Sequence, residues 1–73
     1  MQISYDPQAD AIYIQLIKGE IDDTVQAGKY IHVDVDQEGV PLGIEILFAG
    51  RTLASEDMTS ITVNIAQPVA SHG

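Results

Sequence analysis

The stretch that decides the fold is YIHVDVDQEGVPLGIEILF, residues 30–48. Apolar residues occupy every second position on both sides of its centre: Ile31, Val33 and Val35, then Val40, Leu42, Ile44, Ile46 and Phe48. Such alternation is typical of β-strands that bury one face. The tetrapeptide DQEG, residues 36–39, separates the two halves. The stretch therefore predicts two antiparallel strands, 30–36 and 40–48, joined by a hairpin loop.

Residues 34–45 also match most of the calcium loop of an EF-hand. The matching positions are Asp34, Asp36, Glu38, Gly39 and Glu45. An EF-hand needs a helix on each side of the loop, whereas both flanks here have the period of strands. Pro41 would also remove a backbone N–H that such loops use to pair with a second loop. We therefore favour the hairpin and expect no calcium ion.

A four-residue hairpin loop fixes the pairing of the two strands. It predicts the pairs Val35–Val40, Val33–Leu42, Ile31–Ile44, His32–Gly43 and Tyr30–Glu45. Asp36 and Gly39 suit the first and last positions of a type I turn. Pro41 would face away from the core, which is tolerated if its strand lies near an edge of the sheet.

Four further segments have the pattern of strands: 2–5, 11–17, 24–27 as a short edge strand, and 60–66. The 11–17 segment, AIYIQLI, is apolar on both faces, which predicts a central strand covered on each side. Residues 53–58 form the one predicted helical turn, with Ser55 as its N-cap. The expected fold is a mainly β, antiparallel meander of four or five strands with one short helix.

The chain of 73 residues is expected to form a single domain over 1–66, followed by a flexible tail at 67–73. It contains no cysteine, so disulfides and thiolate metal sites are excluded. Because small domains without such supports are marginal, we expect a homodimer or a higher homo-oligomer.

Charge is the strongest signal in the composition. Eleven Asp and Glu against three Lys and Arg give a formal net charge of −8. Too few cations are present to neutralise nucleic-acid phosphates or to hold an anionic membrane surface. A basic protein is the favoured kind of partner, and solubility of a small oligomer is the alternative role for the charge. Met1 leads directly into strand-like sequence without a signal-peptide pattern, so a cytoplasmic protein is expected.

Three side chains of the hairpin are candidate metal ligands or acid–base groups: His32, Asp34 and Glu45. The alternation of the strands places them on one face, but alternation alone also produces an ordinary solvated polar face. We prefer the solvated face, and we expect no cofactor and no catalytic residue.

Two segments, YDPQADAIYIQL (5–16) and VDVDQEGVPLGIEIL (33–47), together resemble domain-of-unknown-function family 2283, a group of small bacterial and archaeal proteins. The resemblance covers residues 1 to 50 and rests on the turn Asp6-Pro7 to Asp10 and on the block that begins Gly43-Ile44-Glu45. We expect Asp6 and Asp10 to fix the turn between the first two strands. We expect Glu45 to pair with a hydroxyl such as that of Tyr30.

The resemblance implies no established reaction and no catalytic residues. Members of the family are often encoded beside small toxin-like proteins, which implies an antitoxin role. A protein-binding module is therefore the leading hypothesis. A structural homo-oligomer without a partner and, less favoured, a metal-dependent enzyme using His32, Asp34 and Glu45 are the alternatives.

Overall fold

The computed structural model of the chain describes residues 1–53 and 60–66. These two ranges contain one five-stranded antiparallel sheet and one short helix. These elements are β1 (Gln2–Asp6), β2 (Ala11–Gln15), β3 (Asp23–Gly28), β4 (Ile31–Val35), β5 (Pro41–Ile46) and α1 (Ala49–Thr52). The mainly β, antiparallel fold is thus confirmed, and β3 lies at an edge of the sheet as predicted.

The strand order is β1-β2-β5-β4-β3, so the prediction of a simple meander is wrong. The strands β3, β4 and β5 follow one another in the sheet, but the β1–β2 hairpin packs on the far side of β5. The connection from β2 to β3 crosses the ends of β5 and β4. It is anchored there by hydrogen bonds from Leu16 N to Leu42 O and from Asp22 N to Val35 O. This crossing makes β5 the central strand.

The β4–β5 hairpin exists, but its predicted pairing is wrong by two residues. Val33 lies opposite Ile44, and Ile31 lies opposite Ile46. The error has two equal parts. Val35 pairs with Pro41 rather than with Val40, which shifts the pairing by one residue. A bulge then leaves Leu42 without a partner on β4, because Asp34 pairs with Gly43, and this shifts the pairing by one more. Leu42 is instead buried beside Gly19 of the β2–β3 connection. Beyond the bulge the shift is two residues, so the side chains of residues 43–46 keep their predicted faces.

Pro41 lies on the central strand, contrary to the expectation of a position near an edge. It is tolerated because it is the first residue of β5 and extends beyond β2, whose pairing with β5 reaches only to the Gln15–Gly43 pair. No ladder hydrogen bond from residue 41 is therefore required on that side.

The sheet separates two chemically different faces. Cross-strand partners share a face, so the pairings place nine uncharged, mostly aliphatic side chains together: Ile3, Tyr5, Ile12, Ile14, Val25, Ile31, Val33, Ile44 and Ile46. We call this the apolar face. On the opposite side β2 presents Tyr13 and Gln15. β2 has a neighbouring strand on each side, and the expectation that both of its faces are covered stays a prediction.

The end of the chain departs from prediction in two ways. Residues 60–66 are not a strand, and their apolar side chains are exposed, because no strand of the described chain pairs with them. The helix lies at 49–52 and ends at Leu53, whereas residues 54–58 of the predicted helix, including Ser55, lie outside the described residues, as does the predicted tail. Within the described residues, no helix is long and apolar enough to cross a membrane.

Candidate functional site

The second face of the sheet is polar from edge to edge, and we call it the polar face. It carries Gln2, Ser4, Tyr13, Gln15, Thr24, Gln26, His32, Asp34 and Glu45, together with Gly43. It holds every candidate residue that the hairpin sequence suggested as a metal ligand or acid–base group. Its chemistry therefore decides what kind of site the sheet can form.

A chain of hydrogen bonds crosses four strands of the polar face. The hydroxyl of Tyr13 on β2 donates to Oδ2 of Asp34 on β4 at 3.0 Å. The hydroxyl of Thr24 on β3 donates to Oδ1 of the same carboxylate at 2.6 Å. Both oxygens of Asp34 thus accept a hydrogen bond from a hydroxyl group, and charge-assisted bonds of this kind are stronger than neutral ones. The network fixes Asp34 in place.

Gly43 leaves the space that the Tyr13 side chain needs to reach Asp34. It lies on β5, between the strands that carry Tyr13 and Asp34, and the phenol ring passes over its Cα. A Cβ at this position would overlap the Tyr13 hydroxyl and ring carbon Cζ. A glycine is therefore needed here for close approach of a neighbouring side chain rather than for its backbone freedom.

The surroundings of Tyr13 raise the pKa of its phenol above the ordinary value of 10.0. Partial burial is the largest cause, followed by the hydrogen bond to Asp34 and the charges of Asp34 and Glu45. All of these disfavour a phenolate. Tyr13 therefore keeps its proton near neutral pH, donates a hydrogen bond to Asp34 and is unsuited to act as a general base.

His32 and Glu45 form a second pair on the polar face, directly opposite each other on β4 and β5. His32 Nδ1 lies 3.6 Å from Glu45 Oε1, and the two side chains are 31% and 41% exposed. Glu45 thus pairs with His32, and the expected pairing with Tyr30 is wrong because of the two-residue shift in register. An exposed pair of this kind contributes little to stability.

The three candidate residues share the polar face without forming a metal centre. Asp34 lies two positions beyond His32 on the strand, and hydroxyl groups hold its carboxylate. Within residues 1–53 and 60–66, no group of three His, Cys, Asp or Glu side chains could hold a metal ion. A nucleophile such as a serine hydroxyl is activated by a direct hydrogen bond to a base such as histidine. In the described chain, no hydroxyl group is hydrogen-bonded to His32 or Glu45, because the Tyr13 and Thr24 hydroxyls donate to Asp34.

The turn residues of the sequence motif act on the backbone. Asp6 Oδ1 accepts hydrogen bonds from Gln8 N at 3.0 Å and Ala9 N at 3.4 Å, with Pro7 inside the same turn. Asp10 adopts a left-handed backbone with φ of 51°. Its carboxylate accepts from the Tyr5 hydroxyl and from Gly50 N, and its carbonyl accepts from Ala49 N. Asp10 therefore caps the start of α1 from the distant β1–β2 turn.

The DQEG segment is the turn of the β4–β5 hairpin. Asp36 Oδ1 accepts hydrogen bonds from Glu38 N and Val40 N, each at 2.9 Å, and Gly39 has a φ of 80°. This backbone conformation favours glycine. Strands flank the segment on both sides, so the geometry of an EF-hand is absent from residues 34–45.

Carboxylates gather at the end of the sheet where the β2–β3 connection lies beside this turn. A shallow depression of about 290 Å³ is lined by Glu20, Asp36, Gln37 and Glu38. Asp22 and Asp23 lie next to it, because both contact the backbone at Val35. We call Glu20, Asp22, Asp23, Asp36 and Glu38 the acidic end. Within the described chain none of the five lies within salt-bridge distance of a cation.

Two of the three cations pack on aromatic rings. Lys29 Nζ lies 5.4 Å from the centre of the Tyr30 ring, and the Arg51 guanidinium lies 5.6 Å from that of Phe48. These contacts are cation–π interactions. The charge of the acidic end is therefore not offset by these two side chains.

Sequence reasoning missed Tyr13, Thr24 and the acidic end. The polar positions of the 11–17 and 24–27 segments were the available signal for Tyr13 and Thr24, but the strand order that brings them to Asp34 is not visible in a local pattern. The acidic end was missed because Glu20 and Glu38 are eighteen residues apart in the sequence and meet only through the crossing connection.

Comparison with known proteins gives one match. A family model described as "Protein of unknown function (DUF2283)" matches residues 2–49, which include all five strands and the start of α1. No curated protein and no solved structure matches the chain. The match covers the turn at Asp6 to Asp10 and the Gly43–Glu45 block, on which the resemblance rested. The chain therefore belongs to the DUF2283 family.

Proposed function

We propose that this protein is a non-enzymatic binding module and that its acidic end engages a basic protein. The observation that carries the proposal is the acidic end itself, where five carboxylates lie without a cation partner in the described chain. Repulsion among like charges held close together destabilises a fold. Binding of a cationic partner would remove this repulsion.

The shape of the acidic end suits flexible Lys and Arg side chains. The depression is open and shallow, and its carboxylates come from two separate segments of the chain. Basic side chains can enter it one by one while keeping their charged groups partly hydrated. A small basic toxin is the partner class that the family resemblance implies, and an antitoxin role is the specific form of this proposal.

Electrostatic attraction of this kind acts mainly on the rate of association. Rate constants of charge-steered complexes fall steeply with ionic strength, because the Debye length shrinks to about 8 Å at physiological salt. A partner bound through the acidic end is therefore expected to dissociate in high salt.

The test is affinity purification of the protein from its own host, at low and at high salt, with metal analysis of the same sample. The expected result is a stoichiometric basic protein that high salt releases. Absence of such a protein, with a transition metal retained, would contradict the proposal and favour the enzyme hypothesis based on His32, Asp34 and Glu45.

A pair of variants tests the location of the contact. The triple substitution Glu20→Gln, Asp22→Asn and Glu38→Gln leaves Asp36, which holds the turn, and changes the net charge from −8 to −5. The matched control reaches the same −5 through Gln2→Lys and Ser4→Lys on the edge strand β1 and Gln8→Lys in the β1–β2 turn. Loss of the partner with the first variant only supports the acidic end. Equal loss with both would show that net charge alone is responsible.

A further inference from the structure

The apolar face lacks a cover in the described chain. Of its nine side chains only Ile12 is buried, whereas Tyr5 and Val25 are 43% and 47% exposed and the others are half-buried. The four-residue helix α1 is attached at the end of the sheet near Asp10. A single sheet with one bare apolar face does not bury enough surface for a stable domain.

Residues 60–66 also carry apolar side chains that nothing in the described chain covers. Ile61, Val63 and Ile65 alternate along this segment and are 64%, 73% and 89% exposed. Alternation of this kind is typical of an extended segment that buries one of its sides. The protomer thus exposes two apolar surfaces, because neither of them covers the other.

The absence of charged side chains on the apolar face favours a second copy of this chain as its partner. The nine side chains of this face carry no charge, and Asp23 lies only at its corner, at the start of β3. A basic partner would instead be drawn to the acidic end. Two copies of a chain with net charge −8 repel each other, so they can associate only through a surface without carboxylates. Within the described chain, the nine side chains of the apolar face and residues 60–66 provide such surfaces.

We propose that the apolar face packs against the same face of a second copy of this chain, and that residues 60–66 of each protomer extend the contact onto the partner. The product is a twofold dimer with two sheets face to face, as in a β-sandwich with about 10 Å between sheets. A twofold contact brings like surfaces together and closes on itself, so it leaves no apolar face exposed.

The size of the face explains the role of residues 60–66. Five strands about 4.8 Å apart and five residues long, at about 3.3 Å per residue, give a footprint of roughly 400 Å². A stable interface buries about 800 Å² of accessible surface on each partner. The flat footprint is about half of this value, and the exposed side chains Ile61, Val63 and Ile65 of each protomer add to the contact.

The test compares single charges placed on opposite sides of the same segment, in the full-length chain. Val25→Glu places a charge on the apolar face, and Gln26→Glu places the same charge on the neighbouring residue of the polar face. Val63→Glu and Asn64→Glu form the equivalent pair in residues 60–66. All four positions are exposed in the protomer, so the folded protomer accommodates the charge. Sedimentation equilibrium measures the dimer dissociation constant, and circular dichroism verifies that each variant is folded.

We expect a dimer at micromolar concentration, at least about tenfold weaker in Val25→Glu and in Val63→Glu, which is a difference of about 1.4 kcal/mol. Gln26→Glu and Asn64→Glu should dimerise almost as well as the parent chain. A parent chain that stays monomeric at about 100 µM, well above the micromolar range expected of a functional contact, would overturn the proposal. An unchanged dimer in Val63→Glu would overturn the part assigned to residues 60–66. If Val25→Glu fails to fold, Val25→Thr provides the same comparison without a charge.

Discussion

The hydroxyl of Tyr13 on β2 donates to the carboxylate of Asp34 on β4 at 3.0 Å, across the full width of the central strand β5. The contact is accessible because the intervening residue is Gly43, over which the phenol lies. Thr24 on β3 completes the network from the other side of Asp34. The space left by Gly43 thus allows a side-chain network to span four strands, in addition to the hydrogen bonds of the backbone.

Gly43→Ala should destabilise the fold by about 1–3 kcal/mol, the usual cost of forcing a larger side chain into a filled site. The added methyl group would displace the Tyr13 phenol and break its bond to Asp34. Denaturant unfolding measures the change. In a Tyr13→Ser background the cost of Gly43→Ala should shrink, because the displaced ring is absent. An undiminished cost in that background would mean that the ring is not the obstacle.

Stability should fall at alkaline pH because of the tyrosines. The pKa of Tyr13 is raised in the folded chain, so the folded state holds this proton more tightly than the unfolded state. This contribution is complete below the unfolded pKa of about 10 and is lost as the pH rises through the folded pKa. Tyr5 acts in the same direction, chiefly through its hydrogen bond to Asp10.

The measurement is the free energy of unfolding from neutral pH to above pH 10, for the parent chain and for Tyr13→Phe. We expect a shallower alkaline decline in Tyr13→Phe, and Tyr30→Phe provides the control. Titration of the tyrosinate absorbance should show the corresponding late-titrating group in the parent chain. Identical declines in the parent and Tyr13→Phe would contradict the assignment.

Asp10 should be among the most sensitive polar positions. Its left-handed backbone disfavours residues other than Gly, Asn and Asp, and its carboxylate holds the first turn of α1. Asp10→Asn keeps both an acceptor oxygen and the backbone preference, Asp10→Gly keeps only the latter, and Asp10→Ala keeps neither. We expect the free energy of unfolding, measured by thermal denaturation, to fall in that order, with Gly and Ala separated by about 1 kcal/mol. A reversed order of Gly and Ala would show that the backbone strain is unimportant.

Salt should act in opposite directions on the two proposed contacts. Screening weakens attraction between the acidic end and a basic protein, but it also weakens repulsion between two chains of net charge −8. The dimer dissociation constant should therefore fall as salt rises, while binding to a basic partner weakens. Sedimentation equilibrium at low and high salt tests the dimer separately from any partner. A dimer that dissociates in salt would contradict an apolar contact.

The sequence by itself located the five strands of the sheet and their two faces, although it also predicted a strand at 60–66 that does not form. Strict alternation over residues 30–48 identified β4 and β5, and the Asp36 and Gly39 positions identified the turn between them. These features depend on neighbours within a few residues, where side-chain period and turn chemistry act directly. A two-residue error in pairing left the faces unchanged, because side chains along a strand alternate with a period of two.

Tertiary structure decided everything that depends on which strands are neighbours. The docking of the β1–β2 hairpin on β5 brings Tyr13 over Gly43 to Asp34, and the crossing of the β2–β3 connection brings Glu20 beside Glu38. It also places Asp10 at the start of α1, a cap contributed from 40 residues away, where sequence reasoning placed the helix near residue 53 with Ser55 as its cap. Such contacts arise from the burial of whole faces against each other, and no local period or motif encodes them.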